Sequence, residues 1–241
     1  MRATPISYNV QKYKTDSLQG PAFRHGEESF WKSDYTKKNK WIVAGTTALG
    51  VTGSLLALAK FRGHSIKPKA FWNFLKKMPI EFPEVIAMGT GTCLGGLLGG
   101  YIIDKDPLNR KAKRREAIMQ MGNISIPIGT VALTKLLADA LKINTKTLQG
   151  KSIRAAASIG AIIGGIYLAN FAMNKVSNNI FKESSNQRGV KGTDLFPHID
   201  DVVVSGRYIL PDSKIVHNIS RIVPFALMVA GNEVGNKKSQ G

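Results

Sequence analysis

Residues 85–103 read VIAMGTGTCLGGLLGGYII, nineteen positions that carry no charge and include six glycines. As a helix rising 1.5 Å per residue, this stretch covers about 28 Å, close to the hydrocarbon thickness of a bilayer. Its ends are marked. Pro83 and Glu84 suit a first helical turn, because proline loses no hydrogen bond there and a carboxylate meets the positive end of the helix dipole. Asp104, Lys105, Asp106 and Pro107 stop it, and Arg110, Lys111, Lys113, Arg114 and Arg115 follow. Uncharged length, an ordered start and a basic border together predict a transmembrane helix.

The same criteria extend outward. Trp41 to Ala59 is free of charge between Lys38 and Lys40 on one side and Lys60 and Arg62 on the other, which predicts a first span over 41–60. A third span is expected over 124–143, with Pro127 early and Lys135 and Asp139 inside it, and a fourth over 153–174. Ile222 to Gly231 is apolar but only ten residues long, too short to cross. The expected organisation is a polar basic arm (1–40), a four-helix transmembrane region (41–174), a polar region (175–220), and a short apolar segment with a basic tail (221–241). The fold class is an all-α membrane protein.

Two smaller elements are expected. In IKPKAFWNFLKKMPI, residues 66–80, Phe71, Trp72, Phe74 and Leu75 are interleaved with Lys67, Lys69, Lys76 and Lys77, the pattern of an interfacial amphipathic helix. Val202 to Leu210 holds two β-prone runs around Ser205-Gly206 and reads as a small β-hairpin.

Glycine recurs every four residues. Gly91, Gly95 and Gly99 make one stripe on the second span, beside Gly96 and Gly100, while Ala156, Gly160 and Gly164 make a stripe on the fourth. Such faces let backbones approach closely where lipid supplies no hydrophobic drive for association. Gly95-Gly-Leu-Leu-Gly-Gly also resembles Gly160-Ala-Ile-Ile-Gly-Gly, and Gly45-Thr-Thr-Ala-Leu resembles Gly129-Thr-Val-Ala-Leu, which suggests a parallel duplication of a helix pair.

The chain has 34 Lys plus Arg against 16 Asp plus Glu, a formal charge of +18. That charge recurs beside each apolar block instead of gathering in one motif, so anionic headgroups are the expected partner and nucleic acid is not. Eight basic residues precede the first span, five lie in 61–84, six in 104–123 and three in 142–152. The positive-inside rule therefore expects a multi-pass protein of a cytoplasmic or organellar inner membrane, with both termini on the cytoplasmic or matrix side. Homo-oligomers or membrane-complex subunits are the expected protein partners.

Chemical motifs are weak throughout. GTGTCLGG from Gly89 has Leu94 where a dinucleotide fingerprint needs glycine, and Gly150-Lys151-Ser152 has Thr145 where a phosphate loop needs one. His198, Asp200, Asp201 and His217 follow no recognised ligand spacing, so neither a metal nor a cofactor is expected. The four histidines have no nucleophile signature beside them, and Cys93 has no partner for a disulfide. One pair stands out: Lys135 and Asp139 share a helix face, and Lys135 lies about 16 Å along a helix begun at Ile124, a depth at which an ion pair suggests a polar path. The expectation is a non-enzymatic structural or assembly component of a membrane complex, or else a small channel or transporter working near Lys135 and Asp139.

Overall fold

The computed structural model describes residues 35–182, 198–210 and 213–239. Their regular structure is helical, with no strand among the described residues. In chain order they form α1 (Lys37–Phe61), α2 (Pro68–Lys77), α3 (Phe82–Ile103), α4 (Pro107–Ala140), α5 (Leu148–Phe181), α6 (Ile199–Ile209), α7 (Lys214–Ile219), a 3₁₀ turn (Ser220–Ile222) and α8 (Val223–Asn236). Four of them, α1, α3, α4 and α5, are long and apolar enough to cross a membrane.

Local chemistry sets the helix ends. Thr36 accepts from Asn39 N to start α1, Asp106 from Leu108 N before Pro107 in α4, and Thr147 from Gly150 N to start α5. At α3, the Glu81 and Glu84 side chains cap each other's backbone amides across the first turn. The buried Glu84 carboxylate also receives Arg62 from the far end of α1, which ties the two helices where the chain reverses.

Packing centres on α3, which lies between α1 and α8. A Cβ at Gly91 would overlap Ser54 Oγ and the Gly50 carbonyl of α1, and Gly95 and Gly99 meet Thr46 in the same way. On the neighbouring face, a Cβ at Gly96 would overlap the Gly231 carbonyl of α8, while Gly100 lies against Lys113 and Gly235. Two adjacent glycine stripes therefore accept two different helices. The expected short apolar segment proves to be α8, which runs on to Asn236 and has Leu227, Ala230 and Val234 buried in the core.

The second pair, α4 with α5, meets differently. Thr130 donates to the Ala161 carbonyl at 2.8 Å, and Gly165 lies against Pro127. At Gly160 and Gly164, by contrast, no neighbouring atom of the described residues lies within 4 Å of the place a Cβ would take. Thr130 corresponds to Thr46 in the short sequence similarity, yet it meets the face of Ala161 and Gly165, whereas Thr46 meets the face of Gly95 and Gly99.

Three expectations change. The basic run Arg110–Arg115 is the first third of α4, not a loop: this helix of 34 residues is about 51 Å long, more than a bilayer core requires. The predicted span 153–174 lies inside α5, and 124–140 of the predicted third span lies inside α4, which ends at Ala140. The expected hairpin over Val202–Leu210 is instead the helix α6 up to Ile209, because Val203 and Val204 dock into the core, and that burial outweighs β-propensity. In α2, Phe74 is buried against Phe71 and His64, while Trp72 is exposed beneath Lys76.

Because a Cβ at Gly91 meets backbone and one at Gly160 meets open space, alanine separates the two stripes. Gly91→Ala is expected to lose about 1–3 kcal/mol through overpacking, and Gly160→Ala to lose nothing, when both are followed by thermal unfolding in detergent. Equal melting temperatures for the two variants would contradict the packing described.

Candidate functional site

The polar interior is a seam between α4 and α8. On α4, Lys113, Glu116, Gln120 and Asn123 are spaced three, four and three apart and fall on one helical face, and all four are buried. Glu233 and Asn236 answer them from α8 and are buried as well. Gln120 Nε2 donates to Glu116 Oε1 at 3.0 Å and to Glu233 Oε2 at 2.7 Å, so one amide joins two carboxylates on different helices. Lys237 Nζ stands 3.8 Å from Glu116 Oε2.

A lock closes the seam at the end where α3 turns into α4. Lys113, whose side chain has no exposed surface, donates to the Lys237 carbonyl at 2.5 Å and to Tyr35 Oη at 2.8 Å, and its Nζ lies 3.8 Å from Asp104 Oδ2. Tyr35 in turn donates to Asp104, and Asn109 Nδ2 reaches the same carboxylate oxygen at 2.9 Å. The ammoniums of Lys113 and Lys238 lie 4.9 and 4.6 Å from the Tyr35 ring centroid. Arg110 holds the Asp104 and Tyr101 carbonyls. Residues before α1 and after α8 thus meet at the α3–α4 turn.

Electrostatics follow from that geometry. Burial by itself would raise the Asp104 carboxyl, but the bonds from Tyr35 and the Asp106 amide, with Lys113 and Asn109, outweigh it and hold the group below its ordinary value. Burial and the Asp104 contact push the Tyr35 phenol up, so it stays a donor.

The residues singled out from sequence fall elsewhere. Asp139 pairs with Arg154 of α5 at 2.7 Å, and Arg154 also donates to the Ile143 carbonyl beyond the end of α4. Lys135 turns away from Asp139 and places its ammonium 5.0 Å from the Tyr208 ring centroid of α6. One turn of helix brings the two charges to the same face, but α5 and α6 offer each a better partner. Gly91, Gly95 and Gly99 lie in the α1 contact, and Gly160 and Gly164 are on an open face of α5. Sequence patterning hides the seam because a basic run after a helix stop looks like a loop, although the 113, 116, 120, 123 spacing is itself a helical signal.

Asp104 provides a pH test. Its native value is lowered, so its contribution to stability is complete above the ordinary aspartate pKa of about 3.9 and is lost as the pH falls through the lowered native value. Asp104→Asn should melt well below wild type at neutral pH, with the gap closing in acid. A gap independent of pH would contradict the lock.

No family model, curated protein or solved structure matches the chain.

Proposed function

We propose that this chain is a non-enzymatic structural component of a membrane assembly, built to hold a partner transmembrane helix on the outer face of α5. The observation that carries this reading is the exposure of that face. Only 17% of the apolar window of α5 is buried, against 44% for α3. Ile153, Ala157, Gly160, Gly164, Tyr167 and Phe171 are all exposed and follow helical spacing. The strip runs about 27 Å, enough to match the hydrocarbon core. Small residues at its centre admit another backbone, and the aromatics at one end suit the headgroup boundary. The partner is a second copy or another subunit. Ion pairs with one buried member support the same role: Arg62–Glu84, Lys113–Asp104, Lys237–Glu116 and Arg154–Asp139 each join separate segments of the chain. In this reading the basic first third of α4 meets anionic headgroups on the cytoplasmic or matrix side, the side of both termini.

The double variant Gly160→Leu/Gly164→Leu tests the assignment in native gels of mildly solubilised membranes. The expected result is a smaller complex with an unchanged melting temperature. Wild-type migration as a single chain, or a complex insensitive to the double variant, would overturn it.

A second reading is favoured by the seam, since buried carboxylates on two apposed helices are also how membrane proteins move cations. The path would then run by Glu116, Gln120 and Glu233, not by Lys135 and Asp139. Proteoliposome cation flux abolished by Glu233→Gln would support it, and absence of flux in the wild type would exclude it.

A further inference from the structure

The turn that opens α6 carries a second polar cluster, separate from the seam. His198, Asp200 and Asp201 are each buried, and one donor atom from each lies within 4.8 Å of the others. Each carboxylate is half engaged. Asp200 Oδ1 accepts from the Asp201 amide at 2.8 Å, and Asp201 Oδ2 lies 2.7 Å from His198 Nδ1. The other two oxygens, Asp200 Oδ2 and Asp201 Oδ1, are buried with no hydrogen-bond donor among the described residues. Ser205 Oγ, one helical turn beyond Asp201 and 5% exposed, has none among them either.

We propose that His198, Asp200 and Asp201 form a binding site for a divalent first-row transition metal ion. Buried acceptors with no donor carry the full cost of desolvation, and a cation supplies what they lack. Tetrahedral donors at about 2.1 Å from one ion lie about 3.4 Å apart, so the cluster closes on a metal with an adjustment of at most about 1.4 Å. One imidazole with two carboxylates is a mixed donor set, suited to zinc or manganese more than to calcium or magnesium, which prefer oxygen alone. The contact of His198 Nδ1 with Asp201 Oδ2 already brings an imidazole nitrogen and a carboxylate oxygen together, as two ligands of one ion must be. Both carboxylates sit in the first turn of α6, where the helix dipole offsets part of the cost that burial places on their ionised form. Further along, Val203 and Val204 anchor the same helix in the core, so the bound ion would lock α6 against the bundle.

Zinc is the probe. The full chain in detergent, stripped with chelator and then supplied with Zn²⁺, is expected to retain one ion per chain after desalting and to melt at a higher temperature. Asp200→Asn and His198→Gln should each weaken retention about tenfold or more, whereas His217→Gln, outside the cluster, should not. The wild-type measurement stands apart from the folding of any variant: no retained zinc and no rise in melting temperature would overturn the site, with protons as the neutralising charge. Retention equal to wild type in both cluster variants would overturn it as well.

Discussion

Backbone-to-backbone approach at α3 is the constraint on which the rest of this structure depends. With Gly91, Gly95 and Gly99 on one side and Gly96 and Gly100 on the next, the helix presents carbonyls and Cα atoms to two neighbours at once. In an apolar solvent this contact is one of the few sources of association energy, because lipid chains solvate leucine as well as another leucine does. The first stripe seats α1. The second seats α8, which is too short to span a bilayer yet is held in the centre of the fold by Gly231 and Gly235.

Burying α8 has a consequence for charge. Its carboxylate, Glu233, comes to rest against α4, where an unpaired ion would be prohibitively costly. Gln120 bridges Glu233 to Glu116, Lys237 lies beside Glu116, and the Lys237 carbonyl receives Lys113, so each charged group of the seam has a partner. The lock at Tyr35, Asp104 and Lys113 then fastens residues before α1 and after α8 to a single turn. Close packing and polar pairing are thus coupled: the glycines bring α8 in, and the seam compensates for what it carries.

The other half of the molecule obeys a different balance. α5 rests on α4 through Gly165, Met173 and Arg154 and leaves most of its apolar surface outward. Its glycines at 160 and 164 have the same spacing as those of α3 but no atom of the described residues within 4 Å of a Cβ position, which makes this the face on which the proposed assembly role rests.

Sequence patterning by itself determined the four long apolar helices, because uncharged length and basic borders are local properties that a bilayer reads directly. It also located the glycine spacing. Tertiary structure alone decided which stripe is filled, since a repeat of four records a smooth face and not the presence of a partner. It decided that Asp139 goes to Arg154 and Lys135 to Tyr208, because pairs within one helix compete with partners from α5 and α6 that no local spacing reveals. Val202–Leu210 shows the same limit: a β-prone run became α6 once Val203 and Val204 had a core to enter, and that core is made by residues far away in the chain. His198, Asp200 and Asp201, ordinary as a spacing, became a cluster for the same reason, since burial and not sequence order removed their water.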